Sequence, residues 1–180
     1  MIKTVDVGLM ANHLSAHKSI IKRLELYTTR IQNTQILSIL NQQIMMMKNH
    51  VQVMNQLLDP KQSTVNLPPI PSNSGTFSNQ IASNYEMSEK DISIDAHFTA
   101  SAMAKENFNS SENMKNKQVK KLHSAMALQQ ATIAEMYEDL MSQMGWMNQP
   151  NASVTEQTSV ITHLNTIPHP EITNNQQPRH

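Results

Sequence analysis

Histidine is the residue type in this chain whose spacing could support chemistry. His13 and His17 are four residues apart in a region with helical periodicity, so their side chains share one face of a helix. With His50 or His123 from neighbouring helices they could bind a single transition metal, because imidazole is a common zinc ligand. The favoured interpretation is structural: His17 lies in an apolar stripe where a backbone or amide group can satisfy its ring. We therefore predict no metal and no cofactor.

Other reactive groups lack the required partners. Cysteine is absent, which excludes disulfides and thiolate chemistry, and no Gly-x-Ser-x-Gly motif is present. No Glu-x-x-His motif occurs, and residues 34–58 contain neither Asp nor Glu, so a di-iron centre would lack its carboxylates. Methionines that could bind Cu(I) fall in apolar stripes, where methionine commonly fills a core. The sequence thus predicts that the protein is not an enzyme.

Composition narrows the possible partners. The chain has 14 basic and 14 acidic residues among 180, so its net charge is zero. A surface that binds nucleic acid needs a basic excess, and this class of partner is not expected. No apolar run approaches the roughly 18 residues that span a bilayer, so no membrane is expected either. A neutral surface rich in Asn and Gln has little charge repulsion to keep copies apart, which favours self-association.

Proline positions divide the chain. All eight prolines fall within residues 60–71 and 150–178. In the two proline-free stretches, 1–59 and 72–149, hydrophobic residues recur every three or four positions. The expected organisation is a four-helix bundle over residues 1–149, with helices at about 6–31, 34–58, 89–108 and 111–144, a linker at 59–87, and a Pro/Asn/Gln-rich tail at 150–180.

The length of the linker predicts the topology. Helices of this size are about 30–45 Å long, whereas the chain at 59–87 can extend to roughly 95 Å. It can therefore run back along the whole bundle, which makes the second and third helices parallel. The predicted fold class is all-α, a ferritin-like four-helix bundle with a long crossover between helices 2 and 3 and an irregular C-terminal tail.

Helix ends can also be assigned from local patterns. Ser88 can cap the backbone NH of Asp91 while the Asp91 carboxylate reaches back to Ser88. A turn is expected at residues 107–111, where Asn and Ser cluster. Gly145 is placed to end the fourth helix in the left-handed conformation, with Trp146 folding back on that helix.

Two short patterns enclose the second helical hairpin. One is an Asp-Ile-x-x-Asp helix start and the other a closing Gly-Trp-x-x-Pro-like segment; their residues are Asp91, Ile92, Asp95, Gly145, Trp146 and Pro150. In this order, and within a helical bundle, they resemble the coat F (CotF-like) family of Bacillus-type endospore formers. The resemblance covers residues 88–150 well and 8–58 more loosely. Many family members carry an aromatic residue directly after the tryptophan, where this chain has Met147.

The resemblance implies a structural protein of sporulation without known catalysis. Such a protein would be made in the mother-cell cytoplasm and reside in the spore coat or outer spore layer. Its expected partners are itself, as a homo-oligomer or array, and other spore coat proteins. The alternative is a degenerate ferritin-like protein that binds one transition metal through His13, His17, His50 and His123. An adaptor that recruits coat proteins without forming an array is a third possibility.

Overall fold

The computed structural model describes residues 2–72 and 87–164. Within these ranges it contains helices and no strand, which confirms the predicted all-α class. The helices are α1 (Thr4–Thr28), α2 (Thr34–Leu58), α3 (Glu89–Asn113), α4 (Lys117–Gln143) and α5 (Val154–Leu164). Helices α1 to α4 form one compact unit, Met1–Met147, and α5 belongs to a second unit, Asn148–His180. Across the described ranges, none of the helices has the length and apolar character required to cross a membrane.

Hydrogen bonds between helices define the topology of the first unit. On α1 and α3, His13 pairs with Ser110, and Tyr27 pairs with Asp95, so α1 and α3 run antiparallel. On α2 and α4, Gln43 bonds Tyr137 and His50 bonds Gln129, so these helices also run antiparallel. Because a short turn joins α1 to α2, these two helices are antiparallel as well. Helices α2 and α3 are therefore parallel, which is the predicted long-crossover arrangement.

The described part of the crossover runs back along α4. The Gln118 side-chain amide donates to the Val65 carbonyl at 3.4 Å, and the Gln129 amide donates to the Pro68 carbonyl at 2.8 Å. Ile70 then packs against the apolar cluster formed by the C-terminal parts of α1 and α4 and the N-terminal parts of α2 and α3. The segment thus satisfies some of its backbone groups with α4 amides while it covers the core.

Two carboxylates hold the turns of the helical hairpins. Asp6, fully buried near the start of α1, accepts backbone NH groups from Lys3, Lys115 and Asn116 at 2.8, 2.7 and 3.2 Å. Burial raises the pKa of Asp6, but these hydrogen bonds and the Lys115 charge outweigh it, so the pKa lies below its usual value. This carboxylate therefore stays ionised and ties α1 to the turn between α3 and α4.

Glu89 performs the equivalent task at the other end of the bundle. Its Oε1 atom accepts the backbone NH groups of Gln32 and Asn33 at 2.6 and 2.7 Å. The first residue of α3 thereby binds the turn between α1 and α2. Each hairpin consequently supplies a carboxylate to the turn of the other hairpin.

Some predicted helix ends were wrong. Helix α3 continues to Asn113, so the expected end at residue 108 and the turn at 107–111 are incorrect. Asn107 and Ser111 remain helical because their side chains donate to the helix carbonyls of Met103 and Phe108. The cap of α4 is Asn116, whose Oδ1 atom accepts two backbone NH groups. Helix α1 ends at Thr28 rather than near residue 31.

The tail also differs from the prediction at one segment. Residues 150–180 were expected to be irregular, yet Val154–Leu164 forms helix α5. A capping arrangement at its start explains this: the Glu156 carboxylate accepts the backbone NH of Ser153 at 2.7 Å, and the Ser153 hydroxyl accepts the backbone NH of Glu156 at 3.2 Å. Residues 165–180 and the linker residues 73–86 lie outside the described part of the chain.

The helix starts and stops at the second hairpin follow the local patterns. The Ser88 hydroxyl accepts the Asp91 backbone NH at 3.1 Å, and the Asp91 carboxylate accepts the Ser88 NH at 3.2 Å. Gly145 has a φ of 67°, in the left-handed region that favours glycine. The Trp146 NH then donates to the Met141 carbonyl at 2.8 Å, which completes a Schellman motif.

The apolar core consists of two clusters rather than one. The first cluster is built around Ile36, Leu40, Ile92, Ile133 and Tyr137, and the second around Met10, Met54, Val119 and Met126. On α4, Gln130 and Tyr137 are fully buried, whereas the adjacent Gln129 and Met136 are half-buried. Tyr137 is tolerated in the core because its hydroxyl donates to the Gln43 amide oxygen at 3.0 Å.

We expect the substitution Asp6→Asn to lower the free energy of unfolding by about 2–3 kcal/mol, because charge-assisted hydrogen bonds are replaced by an amide whose NH2 group faces NH donors. Urea denaturation at pH 7 measures this change. The matched control is Asp139→Asn at an exposed position of α4, which should alter the value by less than about 0.5 kcal/mol. Equal effects of the two substitutions would contradict the proposed role of Asp6.

Candidate functional site

The structure brings together the four histidines that the sequence suggested as a possible metal set. His13 and His17 come from α1, His50 from α2 and His123 from α4. The ring centroids of His13 and His123 are 5.5 Å apart, those of His17 and His50 are 5.7 Å apart, and those of His13 and His17 are 6.2 Å apart. All four side chains are buried. They form what we call the histidine layer.

The histidine layer lies between the two apolar clusters. On α1, it is flanked by Met10 of the second cluster and Ile21 of the first. On α2, Met47 and Val53 flank His50 in the same way. Since these positions are three or four residues from their histidines, the helical repeat places the rings on the core-facing side. The bundle interior is therefore apolar at both ends and polar in the middle.

Each ring has one hydrogen bond that holds its orientation. The partners are the His13 carbonyl for His17 Nδ1 (2.8 Å), the Val119 carbonyl for His123 Nδ1 (3.1 Å), Gln129 Oε1 for His50 Nε2 (2.8 Å), and Ser110 Oγ for His13 Nε2 (2.7 Å). Carbonyl oxygens only accept, so the ring nitrogens facing them must carry a proton. For His17, His50 and His123, the second ring nitrogen of the neutral imidazole is then a free lone pair.

These second nitrogens have no hydrogen-bond partner among the described residues. The atoms are His17 Nε2, His50 Nδ1 and His123 Nε2, all shielded from solvent. A buried polar atom without a partner costs about 1–3 kcal/mol, so three in one layer represent a substantial penalty. Gln130, also fully buried, lies seven residues from His123 on the same face of α4, and neither of its amide atoms has a partner among the described residues.

Burial keeps these imidazoles neutral. Desolvation, together with smaller effects of the nearby His50, His13 and His123 rings, lowers the pKa of His17 to about 3, against the opposing hydrogen bond to the His13 carbonyl. The same desolvation lowers the pKa of His50 and of His123 to about 4 each. The pKa of His13 is lowered as well, against the opposing charge of Glu106. At neutral pH the layer therefore carries no charge, and its buried lone pairs remain unprotonated.

As they stand, the side chains do not form a metal centre. Among residues 2–72 and 87–164, no three His, Asp or Glu side chains are grouped so that they could hold a metal ion. Asp91 is used in the helix cap, and Asp95 accepts the Tyr27 hydroxyl at 3.0 Å and lies 3.4 Å from Arg23. The acidic residues of the Asp-Ile-x-x-Asp pattern thus have structural contacts. Ile92 is buried in the first apolar cluster.

The sequence did not reveal the groups that orient the rings. Ser110 was expected in a turn, and no role was expected for Gln129. Both lie on other helices than the histidines they bind, so the pairing depends on how helices pack and has no signature in local spacing. The two i, i+4 bonds, from His17 to the His13 carbonyl and from His123 to the Val119 carbonyl, follow from the helical spacing itself.

Comparison with known proteins identifies the fold. No family model matches this chain, and no curated protein matches it. One solved structure that matches is a protein from Bacillus halodurans C-125 described as a putative spore coat protein. The match has a TM-score of 0.68 and 14% sequence identity, and covers 84% of this chain and 95% of that chain. The chain therefore shares the helical-bundle fold of that protein; its membership of the coat F family stays a prediction.

We expect stability to fall as the pH drops below neutrality. Well above pH 6.5, His17, His50 and His123 are neutral in both the folded and the unfolded chain, so their protonation does not affect stability. Between pH 6.5 and about 4, His50 is protonated in the unfolded chain but remains neutral in the folded chain. Each such histidine should remove about 1.4 kcal/mol of unfolding free energy per pH unit. Urea titrations from pH 7.5 to 4.5, in buffer with a chelator, measure the slope.

The variant His50→Gln isolates one of these contributions. Glutamine does not titrate, so the slope of unfolding free energy against pH should decrease by about 1.4 kcal/mol per pH unit, which is the contribution of one proton. This expectation does not depend on the variant's stability at pH 7.5. A slope in His50→Gln identical to that of the unaltered protein would disprove the assignment.

Proposed function

We propose that this protein is a structural component of the bacterial endospore coat that associates with itself or docks to other coat proteins and performs no catalysis. The observation that carries the proposal is the shared fold with the Bacillus halodurans protein, over 95% of that chain. The coat F-like pattern within residues 88–150 supports the same conclusion. The protein would be made in the mother-cell cytoplasm and deposited in the coat or an outer spore layer.

The residues of the coat F-like pattern have roles suited to a building block. Asp91 caps α3, and Asp95 connects α3 to Tyr27 of α1. Gly145 and Trp146 end α4, and the Trp146 side chain packs against the first apolar cluster. The pattern therefore specifies a stable hairpin within the bundle. Such a role is consistent with a structural protein, in which the fold itself is the functional feature.

The surface of the α3–α4 hairpin offers contacts for self-association. Phe98 is 64% exposed and Phe108 is 54% exposed, and both project from α3. Leu128 on α4 is exposed too. Exposed aromatic residues on a surface without net charge favour association, because burying them gains apolar contact at little electrostatic cost. We take a second copy of this chain as the partner of this face.

We expect the double substitution Phe98→Ser/Phe108→Ser to reduce assembly by at least tenfold at equal protein concentration, because it removes apolar area that self-association would bury. Sedimentation velocity and electron microscopy of the full-length protein measure the size and order of the assemblies. The matched control is Leu26→Ser, which alters a 51% exposed residue on α1. Unchanged assembly in the double variant, or an equal loss in the control, would argue against this face.

A second experiment tests the location. A fluorescent fusion produced during sporulation of a Bacillus-type host should collect as a shell around the developing spore. It should then remain with the purified spore and be released by treatments that solubilise the coat. A fusion that stays diffuse in the mother-cell cytoplasm would contradict a coat function, even if the purified protein self-associates.

A further inference from the structure

We propose that α5 is a docking segment whose apolar side packs on the α3–α4 hairpin of a second copy of this chain, and that two copies exchange α5 reciprocally. The inference rests on the proposed structural function and deepens it, because it names the segment of the partner that covers the exposed residues of α3 and α4. The product is a symmetric dimer with two equivalent contacts.

The receiving surface is a patch on the outside of the hairpin, which we call the hairpin face. It consists of Phe98 and Phe108 on α3, which are 64% and 54% exposed, and Leu128 on α4, which is 71% exposed. The Ser124 hydroxyl donates to Ser111 Oγ at 3.0 Å, where the two helices meet. Phe108 lies three residues before Ser111 and Leu128 four residues after Ser124. Because the helices are antiparallel, both side chains lie one turn from this bond in the same direction.

Phe98 extends the hairpin face along α3. Its ring centroid lies 5.2 Å from that of His97, whose Nδ1 atom donates to the Ala134 carbonyl of α4 at 3.2 Å. Phe98 is therefore close to the seam between α3 and α4 as well. The two interhelical hydrogen bonds place residues 98–108 of α3 beside residues 124–134 of α4, so Leu128 lies at a height between the two phenylalanines.

Helix α5 has an apolar side that nothing in its own chain covers. Val154, Val160 and Ile161 are 79%, 59% and 58% exposed. Val154 and Ile161 are seven residues apart, so they lie on one side of the helix two turns apart, with Val160 next to them. Thr155 and Ser159 lie on the opposite side. The helix is thus amphipathic and suited to pack on an apolar surface.

The length of α5 indicates that it requires such a surface. It has 11 residues, whereas isolated helices shorter than about 12–15 residues are marginal in water. The capping arrangement of Ser153 and Glu156 supports its first turn, but most helical stability in proteins comes from packing of the apolar side. Docking on a partner supplies that packing.

The exposed apolar areas favour exchange over contact between two hairpin faces. A large side chain has about 150–250 Å² of surface, so the hairpin face exposes roughly 350 Å² and the apolar side of α5 roughly 300 Å². A stable interface buries about 800 Å² per partner, of which about 57%, or roughly 450 Å², is apolar. Either surface alone falls short of this area. When each copy contributes both surfaces, the apolar area exceeds it.

The dimensions of the segment fit the hairpin face. Helix α5 is about 16 Å long, and Phe98 and Phe108 are ten residues apart, which is about 15 Å along α3. Residues 148–153 before α5 have no helical structure and can extend to roughly 20 Å. Packed helices are about 8–10 Å apart, so this connection is long enough for α5 to cross to an adjacent copy.

Sedimentation velocity of the full-length protein over a range of concentrations tests the docking. The double substitution Val160→Ser/Ile161→Ser should raise the dissociation constant of the dimer at least tenfold, because it removes apolar area from α5. The matched control is Val5→Ser/Val7→Ser on α1, which alters residues 42% and 40% exposed and should change the constant less than twofold. Unchanged dimerisation in the α5 variant would overturn the proposal.

Mixing two defective variants shows whether α5 and the hairpin face are partners. The α5 variant keeps an intact hairpin face, and Phe98→Ser/Phe108→Ser keeps an intact α5. Their mixture has one of the two contacts, so it should form a mixed dimer at least fivefold tighter than either variant forms alone, and weaker than the unaltered dimer. Absence of a mixed dimer would disprove the pairing of these surfaces.

Hydrogen exchange of the unaltered protein distinguishes docking between copies from docking within one chain. The amides of residues 157–161 should become more protected as the protein concentration rises through the dissociation constant. Protection that is independent of concentration, or absent at every concentration, would overturn the proposal. If the phenylalanine variant loses assembly and the α5 variant does not, α5 docking is wrong while self-association through the hairpin face stands.

Discussion

Desolvation of the histidine layer is the constraint on which the rest of the bundle depends. His17, His50 and His123 are fully buried, and a charged imidazole in that position would lose its hydration without compensation. The layer is therefore neutral, and each ring must present its NH to an acceptor. The bond from His50 to Gln129 fixes the relative heights of α2 and α4, whereas the His13 and Val119 carbonyls satisfy His17 and His123 within their own helices. The two apolar clusters then fill the space at either end.

The reciprocal carboxylate contacts hold the ends of this arrangement. Asp6 of α1 binds the turn of the second hairpin, and Glu89 of α3 binds the turn of the first. Free backbone NH groups at helix starts attract negative charge, so both contacts use the helix termini themselves. The hairpins are thus joined at both ends by hydrogen bonds and in the middle by polar side chains. This combination compensates for the limited apolar character of α3, whose buried positions include small residues such as Ala96 and Ala100.

The functional proposal and the structural features point in the same direction. The recognisable pattern of this chain consists of a helix cap, an interhelical hydrogen bond and a helix stop. All three features stabilise the fold. The same fold occurs in the Bacillus halodurans protein at 14% identity, so different side chains can build it. The coat proposal rests on that fold and on the exposed residues of α3.

The four helices of the bundle, their pairing and the long crossover were predictable from the sequence, whereas α5 was not predicted. The three–four periodicity, the proline-free stretches and the linker length are local or additive properties, and the Ser88 cap and Gly145 stop need only neighbouring residues. The prediction from the sequence misplaced the end of α3, because Asn107 and Ser111 favour turns unless their side chains bond helix carbonyls. Only the tertiary structure placed His50 and His123 beside the α1 histidines and aimed Asp6 at the other hairpin. Those contacts join residues far apart in the chain, and their energies arise from burial that exists only once the helices have packed.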